Sequence, residues 1–349
     1  MSPSAARRAV LARRLLRALE ANGRRMGPLL ILTHDNPDPD ALASAWALGH
    51  LVQSLCRARV RIAYGGAIGR RENRIMAESL SIPAYPLRPS DLSAYPRTAL
   101  VDAQPPFRNN RFPPRRKPDI LVDHHPRHPE TQASTLVIDE GVGATTTLMA
   151  EALLLSGVRI PKRLATAVVY GIGSETQNLG REACRRDADA YREFFGRADM
   201  RDLWRIANPR RPAAFFEVLA RGIRDAFVCR RVIGVHLGVV PNPDRVAEMA
   251  DFLLTHEGMR WAIVTGRCPG RLHVSLRTHD EAGGAGRLLK TLLRGRAGGH
   301  RMIAGGSIDM DENASERDWT ETEASVSDAF LRSRGGDPEH RIYPFRRTT

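Results

Sequence analysis

Short apolar runs alternate with longer helical stretches along the first half of the chain. In chain order these segments are Leu29–Thr33, Ala41–Leu55, Val60–Ala63, Thr98–Val101, Ile120–Val122, Ala144–Leu155 and Leu164–Ile172. Alternation of strands and helices implies a largely parallel sheet that helices cover on both faces. Before the first strand, Ala5–Leu19 has apolar residues at helical spacing with arginines between them, which predicts an amphipathic surface helix.

A second pattern of strands and helices begins near Phe227 and predicts a smaller α/β domain. Its strand-like segments are Val232–Val240, Trp261–Thr265 and Leu272–Leu276, and Val246–Thr255 has helical spacing. We therefore predict an α/β fold with a parallel-sheet N-terminal domain over residues 1–190 and a second domain over residues 225–330.

The residues between these domains, 191–224, are predicted to form a helical connector. Helical periodicity runs from about Asp187 to Arg221, and its large apolar residues are expected on buried faces rather than as platforms for nucleic-acid bases. Those residues are Tyr191, Phe194, Phe195, Leu203, Trp204 and Ile206. The last residues, 331–349, are arginine-rich and are predicted to form a flexible basic tail.

The composition is that of a globular protein and argues against disulfide-rich, zinc-knuckle and membrane-anchored classes. The chain has 349 residues, of which 42% are hydrophobic and 26% charged, as in ordinary globular proteins. Its four cysteines form no C-x-x-C pair, so neither a disulfide framework nor a zinc knuckle is indicated, and a cytoplasmic location is expected. No apolar run reaches the ~18 residues that span a bilayer, so no membrane anchor is predicted.

The formal net charge is +14, with arginine far more frequent than lysine. Such a charge attracts polyanions such as nucleic acid or phosphorylated metabolites. The alternative is a codon bias that favours arginine, and composition leaves both interpretations open.

Acids and imidazoles follow three of the predicted strands. His34, Asp38 and Asp40 follow the first strand, Asp102 follows the strand at 98–101, and Asp123-His124-His125 closes the strand at 120–122. The carboxyl ends of parallel strands line the crevice where open sheets bind ligands, so these side chains are expected to converge. Convergent carboxylates and imidazoles predict a divalent metal site.

Each of these acids has a structural alternative when it is considered alone. Asp38 suits an Asx turn and Asp40 suits a helix N-cap, because an apolar helical stretch follows them. Their joint occurrence at successive strand ends favours the metal site. Mixed oxygen and imidazole ligands suit Mn²⁺ or Mg²⁺ better than structural zinc, and the imidazoles favour Mn²⁺.

The order H-x-x-x-D-x-D-A, then V-D, then D-H-H resembles that of the DHH phosphoesterases, which include RecJ-type exonucleases, oligoribonucleases and class II inorganic pyrophosphatases. The resemblance implies two divalent cations: one bound by His34, Asp38 and Asp102, and another bound by Asp40, Asp102, His124 and Glu175. Asp102 would bridge them. In the family, the fourth motif is a strand that ends in an Asp-Thr pair; here it includes Gly171 and ends in Glu175-Thr176.

The resemblance also implies how substrate phosphate binds. His125 would contact a phosphate while Asp123 orients the histidine pair. Farther along the chain, Arg277 and the stretch Gly298-Gly299-His300 resemble the DHH-associated C-terminal domain. Its glycine amides, together with the arginine and the histidine, would bind substrate phosphates, with the active-site cleft between the two domains.

These expectations describe a hydrolase, with Asp102, Asp123 and His125 as its catalytic residues. It would cleave short single-stranded oligonucleotides or linear dinucleotides to nucleoside monophosphates. Two alternatives stay open: a phosphatase acting on 3′-phosphoadenosine 5′-phosphate, and a catalytically weakened nucleotide- or RNA-binding regulator, which Glu175 in place of Asp and the positive charge would suit. No membrane partner is expected, and a homodimer is one of the assemblies left open.

Overall fold

The computed structural model describes residues 3–107, 109–280, 282–299 and 301–346, with side chains from residue 10 onward. Contacts divide the chain into two compact units, Met1–Pro209 and Arg210–Thr349. The boundary lies inside the stretch 191–224 that the sequence predicts as a connector.

The first unit contains a parallel sheet that has six strands within the described residues. They are β1 (Leu29–Leu32), β2 (Val60–Tyr64), β3 (Ala84–Pro86), β4 (Arg97–Val101), β5 (Ile120–Asp123) and β6 (Thr135–Ile138). Their spatial order is β3-β2-β1-β4-β5-β6, and every neighbouring pair is parallel. This is a doubly wound order, in which the direction of progression reverses between β1 and β4, and such reversal points are where open sheets bind ligands.

The helices of this unit are α1 (Pro3–Asn22), α2 (Pro39–Cys56), α3 (Arg71–Ser79), α4 (Asp91–Ala94), α5 (Thr145–Ser156), α6 (Lys162–Glu175), α7 (Arg185–Phe195) and α8 (Met200–Ala207). One sheet face, with Ile31 and Val122, forms a core together with α1, α2, α5 and α6. The opposite face packs Leu32 and Leu121 against Phe112. Phe112 belongs to the Pro- and Arg-rich segment after β4, so this segment covers the sheet.

The second unit contains a mixed sheet, described here by the strands β7 (Phe227–Cys229), β8 (Val232–Val239), β9 (Trp261–Cys268), β10 (Arg271–Thr278), β11 (Ala297–Gly299) and β12 (Ile303–Asp309). Their order is β11-β12-β10-β9-β8-β7, and β8 with β9 is the parallel pair. Its helices are α9 (Ala213–Arg224), α10 (Asp244–Leu253), α11 (Ala285–Leu292) and α12 (Glu316–Ser333). The predicted α/β fold with a parallel first sheet is confirmed.

Two structural expectations are wrong. The fourth motif is helical: Gly171 and Glu175 lie on α6, where a Cβ at Gly171 would come within 3.1 Å of Thr146 Oγ1 and the backbone oxygen of Pro39. The glycine therefore lets α6 approach α2 and α5 closely. The flexible tail predicted for residues 331–349 is also wrong as far as residue 346. Leu331 is buried, and the backbone of Ile342 forms two hydrogen bonds with that of Val228.

The prediction that the large apolar residues of the connector are buried is only partly correct. Phe194 and Ile206 are fully buried, whereas Phe195 is 44% exposed and Trp204 is 69% exposed. The periodicity is amphipathic as predicted, but these two rings lie on the outward side. Among the described helices, none combines the length and apolar character needed to cross a bilayer.

Candidate metal centre

The loop after β1 aims His34 at two carboxylates. The Nδ1 atom of His34 lies 2.8 Å from the carbonyl oxygen of Asp35, which can only accept, so Nδ1 carries a proton. The Nε2 atom then faces Asp38 Oδ2 at 3.8 Å and Asp102 Oδ2 at 3.6 Å. Burial opposes protonation, but Asp102 and Asp38 prevail and raise the pKa of His34.

Asp38 has a structural role and also faces the site, but the structural role is a helix N-cap and not the Asx turn that the sequence suggested. One oxygen, Oδ1, accepts from the Ala41 amide at 2.9 Å and caps α2, while Oδ2 faces His34. The cap is therefore Asp38 rather than Asp40. An N-cap oxygen stabilises the helix start, and the remaining oxygen is available to the site.

Asp40 lies inside the first turn of α2 and is almost completely buried. Its Oδ2 accepts from the Thr145 amide at 2.8 Å and its Oδ1 accepts from the Thr146 amide at 2.7 Å. Those amides begin α5, so the carboxylate of one helix caps another. Burial, followed by the charges of Asp102 and Asp38, raises the pKa of Asp40.

Asp102 occupies the centre of the cluster. It follows β4 in a left-handed backbone conformation, with φ of 57°, and is buried. Its Oδ1 accepts from Thr145 Oγ1 at 2.8 Å and lies 3.8 Å from His124 Nε2 and 3.6 Å from His125 Nδ1. Burial opposes ionisation, but His34 and the two imidazoles hold the pKa of Asp102 well below its usual range.

The adjacent histidines at the end of β5 are positioned differently. His125 Nδ1 lies 2.8 Å from Asp123 Oδ1, and the other oxygen of Asp123 accepts from Gln104 Nε2 at 2.7 Å. His124 Nδ1 faces the carbonyl oxygen of Val142 at 3.4 Å, and its Nε2 faces Asp40 and Asp102. Burial opposes protonation of His125, yet Asp123 and Asp102 raise its pKa to about 10.

Two groups of potential ligands share Asp102. His34, Asp38 and Asp102 form one group, and Asp102, His124 and His125 form the other; within each, the ligand atoms lie within 4.8 Å of one another. Asp40 adjoins the second group, 3.9 Å from His124 Nε2. The structure thus brings together the side chains that the sequence singled out after β1, β4 and β5.

Glu175 lies at the C-terminal end of α6, within the electrostatic field of this cluster. Burial and then the charges of Asp38 and Asp102 raise its pKa to about 7. Arg181 Nη2 donates to the Glu175 carbonyl oxygen at 2.6 Å and is 3.7 Å from its Oε1. Glu175 belongs to neither of the two three-residue groups found among the described residues.

In the second unit, Arg277 is buried and already surrounded by acceptors. Its Nε contacts Asp251 on α10, and its Nη1 donates to Ser275 Oγ at 2.8 Å and to the Ala304 carbonyl oxygen at 3.1 Å. The arginine therefore ties β10 to α10 and β12, a role that the sequence reading missed.

The paired glycines lie on β11 and are exposed. Gly299 has φ of 146°, and a Cβ there would come 2.2 Å from the Ile303 carbonyl oxygen, so this position requires glycine. Gly298 is paired with Gly305 on β12, and neither position has an atom within 4 Å of where a Cβ would lie. His300 lies outside the described residues.

Sequence reasoning missed the polar residues that hold the cluster in place. Thr145 contacts both Asp40 and Asp102, and Gln104 fixes Asp123 while its own oxygen accepts from the His128 amide and Thr131 Oγ1. The only local signal was a Thr-Thr-Thr run that begins an apolar helix, and that pattern is common at helix starts.

Comparisons with known proteins match both parts of the chain to family models. Residues 28–172 match the DHH family, N-terminal domain, and residues 230–317 match the DHHA1 domain. An uncharacterized protein of Methanocaldococcus jannaschii is 33% identical over 301 residues, which is 85% of this chain. The matched region spans 61% of that relative's own length.

A solved structure shares this fold. An exopolyphosphatase-related protein from Bacteroides fragilis has a TM-score of 0.71 at 14% identity, covering 91% of this chain and 96% of that one. At this identity the likeness shows the fold alone. The exonuclease RecJ bound to manganese has a TM-score of 0.49 at 16% identity, covering 95% and 97% of the two chains.

Proposed function

Because this chain belongs to the DHH family, we propose that it is a phosphoesterase that uses two divalent cations to hydrolyse short oligonucleotides or linear dinucleotides to nucleoside monophosphates. The observation that carries the proposal is the pair of ligand groups joined through Asp102. Such an arrangement suits two-metal phosphoryl chemistry, in which neighbouring cations act on one phosphate.

The donor set fits cations of this kind. The separations of 3.6–3.9 Å between imidazole nitrogens and carboxylate oxygens are too long for hydrogen bonds. Mg²⁺ has ligands at ~2.0–2.1 Å, so two ligands of one octahedral ion lie between about 2.9 Å apart at adjacent corners and about 4.1 Å apart on opposite sides, and the observed separations fall within that range. Three buried or half-buried aspartates also need positive charge nearby, because an unpaired buried charge is costly.

We assign one cation to His34, Asp38 and Asp102. The other is assigned to Asp102, His124 and Asp40 in place of His125, because the Nδ1 atom of His125 already contacts Asp123. The charges of this cluster also act on Glu175. Bound cations would lower the pKa of water and stabilise the negative charge that develops on the reacting phosphate. Mn²⁺ is the expected physiological ion, with Mg²⁺ as the alternative.

His125 is assigned to the substrate phosphate. Its Nδ1–H donates to Asp123, which in turn accepts a hydrogen bond from Gln104, and these two contacts fix the orientation of the imidazole ring. In the metal-free protein, burial opposes protonation, but Asp123 and Asp102 raise the pKa of His125, which favours the positively charged imidazole. Its remaining N–H can then donate to a phosphate oxygen, and a charged donor makes a stronger hydrogen bond than a neutral one.

The second unit is proposed to contribute phosphate-binding groups. The open strip formed by Gly298 and Gly305 leaves backbone unobstructed by side chains, which favours close approach of an anion. Arg277 is assigned to the same task through Ser275, whose hydroxyl it orients. His300 is proposed as a further donor from the sequence alone.

The test is release of mononucleotides from an RNA dinucleotide and from a 24-nucleotide RNA by purified protein with Mn²⁺, with excess EDTA as the control. Metal-dependent cleavage of the dinucleotide supports the proposal. If neither substrate is cleaved while RNA is bound tightly with and without metal, the protein is instead a nucleic-acid-binding regulator.

Thr145 offers a test of the metal assignment that does not depend on turnover. Thr145→Val removes the donor to Asp102 but keeps the shape of the side chain and the amide that holds Asp40. Loss of such a supporting hydrogen bond typically weakens metal affinity by about ten- to a hundredfold. We expect this loss in Mn²⁺ titration calorimetry, with near-normal affinity for Thr145→Ser; equal affinities for Val and Ser would contradict the assignment.

The pH dependence of metal binding should report on Glu175. Its pKa of about 7 in the metal-free protein means that a proton must leave before the carboxylate can face a cation. We therefore expect Mn²⁺ affinity to fall between pH 8 and pH 6. Glu175→Gln should make that fall shallower, as measured by calorimetry across the range, whereas Glu175→Asp should retain it; parallel curves for wild type and Gln would remove Glu175 from the site.

A further inference from the structure

Helix α8 presents an aromatic and basic surface that the proposed catalytic chemistry does not use. The helix buries Ile206 and half-buries Leu203 against the first unit. Its outward side is formed by Met200, Arg201, Trp204 and Arg205, which line one shallow surface depression. We name these four residues the Trp204 surface.

The exposure of this surface is unusual for its residue types. Trp204 is 69% exposed and Met200 is 44% exposed. The other tryptophans, Trp46, Trp261 and Trp319, are all buried or half-buried. Met200 and Trp204 line one depression together with two arginines, and apolar surface rimmed by polar residues is typical of interaction sites.

Charge decides which partner suits the surface. Arg201 and Arg205 are four residues apart, so they share one side of the helix, and both line the same depression as Trp204. Arg205 lies 3.2 Å from the half-buried Asp202, but the Arg205 side chain is itself 62% exposed, and ion pairs in contact with solvent contribute little to stability. Two guanidinium groups beside an exposed indole are complementary to a phosphodiester backbone with a stacked base, and the net charge of +14 attracts the same ligand.

We propose that the Trp204 surface is a binding site for single-stranded nucleic acid, in which a base stacks on Trp204 while Arg201 and Arg205 contact phosphates. This inference rests on the proposed function, because it gives substrates longer than a dinucleotide a second point of attachment. It predicts that chain-length preference is set partly outside the metal centre.

The first test is equilibrium binding of a labelled 24-nucleotide uridine strand in EDTA, so that hydrolysis does not interfere. Trp204→Ala should raise Kd by about tenfold, the scale of one lost base stack, whereas Trp204→Phe should retain most of the affinity. The matched control is Phe216→Ala on α9, which removes a ring that is 57% exposed and has alanines, Ala213 and Ala220, one turn away on either side. The control should leave Kd unchanged.

Two further readouts identify the contacts. Strand binding should quench tryptophan fluorescence in the wild type, and this signal should disappear in Trp204→Phe although the strand still binds. Arg201→Gln and Arg205→Gln should each lower the slope of log affinity against log salt by about 0.7, the value for one phosphate contact on a single strand.

The outcomes separate this inference from the proposed function. Dinucleotide hydrolysis should be the same in wild type and Trp204→Ala, and its absence in both would overturn the proposed function while the binding data still test the surface. An unchanged Kd in Trp204→Ala overturns the nucleic-acid site. If that variant instead converts a dimer to a monomer in size-exclusion chromatography with strand binding intact, a second copy of the chain occupies the surface and the inference is wrong.

Discussion

Asp102→Asn is expected to abolish high-affinity metal binding and to lower turnover at least about a thousandfold, a loss of ~4 kcal/mol of transition-state stabilisation. Asp102 is the residue that both ligand groups share, so its charge would act on both of the proposed cations. No other described residue belongs to both groups. The measurements are Mn²⁺ calorimetry and mononucleotide release from an RNA dinucleotide.

Asparagine is the appropriate replacement because of the local backbone. Asp102 has φ of 57°, a left-handed conformation that Asn tolerates better than Ala. An Asn oxygen can also keep the hydrogen bond from Thr145 Oγ1. The matched control is Glu182→Gln, which makes the same carboxylate-to-amide change at another left-handed position, φ 47°, on an exposed side chain outside both groups. Full activity of Asp102→Asn would refute the two-metal proposal.

Arg186→Met is expected to cost about 3–5 kcal/mol of folding free energy, because it removes the guanidinium group that pairs with two buried carboxylates. Arg186 donates to both oxygens of Glu151 at 2.8 Å and to Asp139 at 2.5 Å, and all three side chains are buried. Burial opposes the charge, but Glu151 and Asp139 raise the pKa of Arg186. Chemical denaturation measures the effect.

A control variant and a double variant show whether the loss of stability in Arg186→Met comes from its buried ion pairs. The neighbouring Arg185→Met removes a side chain that is 94% exposed and 3.9 Å from Asp189, and should change stability by less than about 0.5 kcal/mol. Adding Glu151→Met to Arg186→Met should restore part of the loss, because only Asp139 then lacks its cation, and its other oxygen still accepts from the Gly141 amide. Equal stability for both single variants would mean that the buried triad of Arg186, Glu151 and Asp139 contributes nothing to the free energy of unfolding.

The triad has a functional consequence because it anchors the loop that follows β6. Asp187, the next residue along, accepts from the Gly143 amide at 2.9 Å and from Thr147 Oγ1 at 2.5 Å. The Val142 carbonyl that faces His124 belongs to the same peptide unit as the Gly143 amide. The Thr145 groups that hold Asp40 and Asp102 lie between Gly143 and Thr147. The start of α7 thus supports the ligand groups without touching them.

The sequence alone determined the alternation of strands and helices and the positions of the acidic strand ends. Those features are local: a run such as Leu29–Leu32 is recognisable from its own residues, and His34, Asp102 and Asp123 lie at the ends of strands or within two residues of them. Given parallel strands, convergence of these side chains follows from the geometry of the sheet.

Tertiary structure decided what depends on residues far apart in the chain. Thr145 lies 105 residues from Asp40 yet holds it, and no short-range pattern carries that pairing. The Arg186 triad likewise joins three separate elements. Helical spacing identified an amphipathic face around Trp204, but which side of that helix meets the core depends on where the neighbouring helices pack. The local sequence pattern therefore identified the candidate metal ligands, whereas long-range packing decided which residues hold those ligands in place and which aromatic rings stay exposed.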